Sequence, residues 1–125
     1  MNTSKISVEE FRENLNSFQG TNYYYSHKLG NQNIILTDGC EYVRNAAEAY
    51  WLFDAIISYQ LSRYVRQQFF QVWKLLQQKD ETWKLICEDG NKKVLVEQNI
   101  LYSDFPIPEI TIWLVDGVAM LPSEY

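Results

Sequence analysis

Asp-Gly occurs three times, at 38–39, 89–90 and 116–117, each time directly after a strand-like run. No other feature narrows the fold as much. The dipeptide suits the positive backbone angles of tight type I′ turns. Such turns join antiparallel neighbours, because parallel strands need crossovers of a dozen residues or more. The second half of the chain therefore reads as an antiparallel meander. "FFQVWKLLQ", "TWKLICE", "KKVLVEQNILY", "ITIWLVDG" and "VAMLP" alternate at period two and supply its strands. "SDFPIPE" between them is a loop, since two prolines two apart cannot both sit in a ladder.

The first half carries helical signals. Ser7 and Glu10 form a capping box, and Val8, Phe11, Leu15 and Phe18 make one apolar stripe that Gly20 ends. "YYYSHKL" (23–29) and "IILT" (34–37) read as a strand pair across Gly30-Asn31. The run from Arg44 to Gln68 has the longest helical pattern. Ala46, Ala49, Tyr50, Phe53, Ile56, Ile57, Leu61 and Tyr64 fall within an arc of about 140°. Gln60 lies in the same arc, where a polar side chain is unexpected. Trp51 and Tyr59 lie off it and are candidate interface residues.

These elements predict a single α+β domain over residues 1–125. It has an antiparallel sheet of about four to six strands, a long helix packed on one face and a short N-terminal helix. The length of 125 residues and the 46% apolar content are enough for a core without disulfides or metal. Nineteen aromatic residues argue against disorder.

Charge excludes some functions. The net charge is −5 and the eleven basic residues are scattered, which disfavours direct nucleic-acid binding. The sixteen acidic residues are dispersed too; solubility accounts for them better than a decoy of nucleic acid does. The opening "MNTSKISVEEFREN" lacks the apolar core of a signal peptide, and no apolar run reaches the ~20 residues that span a bilayer. With two unpaired cysteines, the expectation is a cytoplasmic protein with no membrane contact.

Little in the chain signals chemistry. His27 is the only histidine, so zinc sites with two or three histidines are excluded within one subunit. No phosphate loop, dinucleotide fingerprint or nucleophile elbow is present, and no cofactor is expected. A catalytic or mixed metal set would have to centre on His27 with Asp38, Asp54 or Asp104. The ordinary reading of each is structural. His27 is a strand-end residue, Asp38 builds a turn, Asp54 is half-buried at the edge of the helix stripe, and Asp104 bonds its own loop. A nucleophile pair of His27 with Cys40 or Cys87 is the other arrangement, against which Cys87, alternating with Trp83 and Leu85, reads as a small buried hydrophobe.

Several blocks resemble a family of small bacterial proteins of unknown function: G-T-x-x-Y-Y-x-H at 20–27, T-D-G at 37–39, Y-W-L-x-D at 50–54, D-F-P at 104–106 and L-P-S-E-Y at 121–125. The likeness runs from about Phe18 to Tyr125. Matching positions include His27, Asp38, Gly39, Trp51, Asp54, Asp104, Phe105, Pro106, Glu124 and Tyr125. Cys40 stands where the family pattern implies an apolar residue, which argues against a thiol nucleophile. The resemblance implies one autonomous domain and no activity.

The expected function is a non-enzymatic binding or regulatory module, acting on a protein partner or a second copy. A small hydrolase or metal-dependent enzyme around His27 is the alternative, and an acidic decoy a further one. In "LPSEY" the chain leaves its strand at Pro122, so Tyr125 should pack back on the body and Glu124 should be paired.

Overall fold

A computed structural model describes residues 6–125. The first five residues, part of the reading against a signal peptide, lie outside the described residues. Four helices pack on a seven-stranded sheet. Helix α1 spans Val8–Leu15, α2 Asp38–Ala46, α3 Tyr50–Tyr59 and α4 Arg63–Arg66. The strands are β1 Tyr25–Leu29, β2 Gln32–Leu36, β3 Phe70–Gln77, β4 Trp83–Glu88, β5 Val94–Ile100, β6 Glu109–Val115 and β7 Val118–Met120.

The sheet order is β1-β2-β7-β6-β3-β4-β5. It exceeds the expected four to six strands because the first hairpin joins the second-half sheet. That join is a parallel pairing, Ile35 with Val118 and Leu36 with Ala119, between residues more than eighty apart in sequence. Every other pairing is antiparallel.

Of the three Asp-Gly dipeptides, only Asp116-Gly117 has both residues at positive φ, 50° and 81°, as a type I′ hairpin turn requires. Asp89-Gly90 lies in a longer loop, where the Asp89 carboxylate accepts from the N–H groups of Asn91 and Lys93. Asp38-Gly39 makes no turn. It starts α2, with Thr37 as N-cap accepting from Cys40 N–H. Gly20 also differs from expectation: α1 ends at Leu15 with Asn16 as its cap, well short of the glycine.

There is no single long helix. Glu48 adopts φ 52° directly after α2. Its N–H donates to Asn45 O, and Ala49 N–H donates to Arg44 O at 2.9 Å. This is a Schellman stop with glutamate in the place glycine usually takes. Helix α3 ends at Tyr59, where the Arg66 guanidinium donates to the carbonyls of Gln60 and Leu61. The breaks split the expected stripe. Ala49, Phe53, Ile56 and Ile57 are buried, while Tyr50, Leu61 and Tyr64 are exposed.

The core lies between the helices and one face of the sheet. Trp73, Leu75, Leu85, Ile112 and Leu114 point into it, beneath Leu52, Phe53, Ile56 and Ile57. Gln60 is accommodated by a reciprocal amide pair with buried Gln71, at 2.8 and 2.9 Å, and Gln71 also accepts from Trp73 Nε1. The polar group in the apolar arc is thus satisfied inside the fold.

Candidate functional site

The sequence blocks converge on the start of α2. The Thr21 hydroxyl oxygen accepts from Asp38 N–H at 2.8 Å. The Asp38 carboxylate accepts from Asn22 N–H at 2.8 Å and from the Tyr25 hydroxyl at 3.0 Å. The Asn22 bond, ahead of the Tyr25 and Thr21 bonds, holds the Asp38 carboxyl below its usual value. The same contact with Asp38 raises the Tyr25 hydroxyl.

On the other side of this helix start sits Glu124. Leu121 leads into a short 3₁₀ turn, Pro122–Glu124, that carries the carboxylate back to α2. It accepts from the Thr37 hydroxyl at 2.6 Å, Gly39 N–H at 2.9 Å and Leu121 N–H at 2.9 Å. A carboxylate on the first amides of a helix faces the positive end of its dipole. Gly39 is needed here for space: a Cβ on it would lie 2.5 Å from Glu124 Oε1 and 2.7 Å from Leu121 Cδ1. Tyr125 then turns the other way and packs edge-on against Phe70 and Trp113, with ring centroids 5.8 and 5.4 Å apart.

His27, on β1, is 4% exposed. Its Nε2 lies 2.8 Å from Asp54 Oδ1 on α3, and its Nδ1 lies 3.0 Å from an Arg44 guanidinium nitrogen on α2. Arginine only donates, so Nδ1 is the acceptor and Nε2 carries the proton that goes to Asp54. A catalytic histidine keeps one nitrogen for substrate. In His27 both are taken by the protein, and the ring is flanked by Tyr50 and Phe53. This triad ties β1 to α2 and α3.

The other candidates lie elsewhere. Among the described residues, Asp54 is the only carboxylate bonded to His27. Asp38 belongs to the α2 start. Asp104 lies in the loop after β5, where Ser103 Oγ accepts from Phe105 N–H. Both thiols are buried. Burial, with the nearby Glu124 charge, raises the Cys40 thiol well above its usual value. Burial also pushes Cys87 up to about 12. Neither has thiolate character at neutral pH. Among the described residues no group of three or more His, Cys, Asp or Glu side chains could hold a metal ion. No helix there is long and apolar enough to cross a membrane.

Trp51 and Tyr59 are half-buried and pack against the core. The Tyr59 hydroxyl donates to Gln98, and its ring lies 5.6 Å from Trp73. The feature that sequence reasoning missed is the sheet's other face. Along β3 and β6, buried residues alternate with half-buried Phe70, Val72, Leu76, Trp113 and Val115. The available signal was that both alternating sets of these strands are largely apolar, which also hid which set faces the helices.

A family model described as a family of unknown function (DUF6876) matches residues 9–125, and the chain belongs to that family. No curated protein and no solved structure matches it.

Proposed function

We propose that the protein is a non-enzymatic binding module that works through protein–protein contact, with a second copy of itself as the partner. The observation that carries this reading is the apolar sheet face directed away from the helices. Register aligns its residues into one patch. Val72 pairs with Trp113, Phe70 with Val115, Trp113 with Met120, and Val115 with Val118. Ile35 adjoins Val118 across the parallel join. Seven strands at about 4.8 Å spacing and about six residues at 3.4 Å give a plane of roughly 700 Å². A standard interface needs about 800 Å² per partner once side-chain relief is counted. The apolar residues occupy the middle of that plane, Lys74, Thr111 and Lys84 share the face, and Tyr125 packs on Phe70 and Trp113. Two lysines of these strands are paired internally: Lys74 with Glu88 at 3.2 Å and Lys84 with Glu97 at 2.9 Å.

The absence of a free nitrogen on His27 and the neutral thiols support a non-enzymatic role over the His27-centred alternative. Acidic residues are spread over α1, α2, β4, β5 and the loops, which favours the module over the acidic decoy.

Sedimentation velocity from micromolar to several hundred micromolar tests the proposal. The expected result is a concentration-dependent rise from 14.8 kDa toward twice that mass, abolished by Val72→Glu in a folded variant. A single monomeric species throughout would overturn it.

A further inference from the structure

We propose a second recognition site, independent of the outer sheet face: a cavity that binds a free α-amino acid as its zwitterion. It lies on the helix side, where the sheet is incomplete. Strand β7 is three residues long and meets β2 only at Ile35 and Leu36. Residues 32–34 of β2 therefore have no strand beside them there. The space between them, the Asp116-Gly117 turn and residues 66–69 is a cavity of about 490 Å³. That lies within the roughly 300–1,000 Å³ of small-molecule sites. Buried Ile34, Gln71 and Leu114 are its innermost lining residues.

Three observations point to a zwitterion. The first is a pair of opposite charges that do not meet. Arg66 and Asp116 both line the cavity, yet among the described residues neither forms an ion pair. Arg66 is held in place, because its Nη1 donates to the carbonyls of Gln60 at 3.2 Å and Leu61 at 3.4 Å. Its Nε and Nη2 remain to take a carboxylate. The exposed Asp116 carboxylate suits an ammonium. A ligand with one charge would meet a like charge on one wall, whereas an amino acid satisfies both. The second observation is the rim. The side-chain amides of Gln32, Gln67 and Gln68 line the same cavity and bond to no described residue. Each offers a donor and an acceptor, which matches a polar ligand side chain. The third is the reciprocal pair of Gln60 and Gln71, both of which line the cavity. Replacing both partners of such a pair by apolar groups can be nearly neutral for stability. Folding alone therefore does not call for amides here, whereas a polar ligand does.

The test is an NMR titration with L-glutamine and with acetyl-L-glutamine amide, which keeps the side chain and removes both charges. L-glutamine should shift the backbone amides of residues 66–69 and 116–117, saturating in the millimolar range. The capped compound should bind at least tenfold more weakly. Asp116→Asn should cut affinity at least fivefold and keep the fold, since Asn-Gly suits the same type I′ turn. Arg66→Lys, which keeps the charge and loses the planar fork, should also cut it at least fivefold. Equal binding of the two compounds, shifts confined to other surfaces, full affinity in Asp116→Asn, or no shift up to 20 mM would overturn the inference. A chain that dimerises but ignores L-glutamine loses this inference alone. One that binds L-glutamine but stays monomeric loses only the sheet-face reading.

Discussion

Gly39→Ala separates the packing argument from helix propensity, because the two predict opposite signs. Gly39 lies in the first turn of α2 with an ordinary helical backbone. Propensity alone predicts that alanine stabilises by about 1 kcal/mol. The geometry predicts the reverse. The new methyl would sit 2.5 Å from Glu124 Oε1 and 2.8 Å from Glu124 Cδ, so the carboxylate must leave. Its departure breaks the bonds from Thr37 Oγ1, Gly39 N–H and Leu121 N–H. Hydrogen bonds to charged groups contribute about 1.5–3 kcal/mol each. Taking the low end, because Glu124 is only part-buried, and counting two bonds as unrecovered gives a loss of about 3 kcal/mol. Offset by propensity, the net destabilisation is about 2 kcal/mol, or roughly 6–10 °C in Tm for a domain of this size. Thermal unfolding followed by circular dichroism reads it directly. A cycle with Glu124→Ala should show coupling: Gly39→Ala costs less once the carboxylate is gone, although Leu121 Cδ1 still crowds the methyl. An unchanged or raised Tm for Gly39→Ala would refute the account of Glu124 as the clasp on α2.

Other predictions follow from the same contacts. Both cysteines should resist iodoacetamide at pH 8 in the native state and react fully in denaturant, since both thiols are held above their usual values. The Asp38 carboxyl is held below its usual value of 3.8. Its contribution is therefore present above about pH 4 and lost as pH falls through the lowered folded value. Asp38→Asn should lower stability by a constant amount at every pH above about 4 and make the fall along the acid limb shallower, as denaturant melts over a pH series would show. Nitrogen-15 shifts of His27 should show protonated Nε2 and bare Nδ1, and Arg44→Met should remove that preference.

Local signals were legible in the sequence. Ser7 caps α1 through its bond from Glu10 N–H, and Asp116-Gly117 makes its hairpin. Both depend on residues within a few positions. The parallel join of β2 to β7 was not legible, because nothing near Ile35 specifies Val118. The break at Glu48 was hidden because glutamate rarely takes the left-handed stop. Asp38-Gly39 resembles a turn until Thr37 is seen as a helix cap and Glu124 as the reason for glycine. At the candidate site, Asp54 could be read as half-buried and paired, but not that its partner is His27 on a distant strand. The outer sheet face was obscured because buried and half-buried positions of β3 and β6 are equally apolar.

The most direct test of self-association through the outer sheet face is a concentration series of amide spectra from 20 µM to 1 mM. The account predicts shifts and broadening centred on Phe70, Val72, Trp113, Val115 and Val118, with α1 and α3 unaffected. Spectra that stay unchanged over that range, or changes centred on Trp51 and Tyr59 instead, would contradict it.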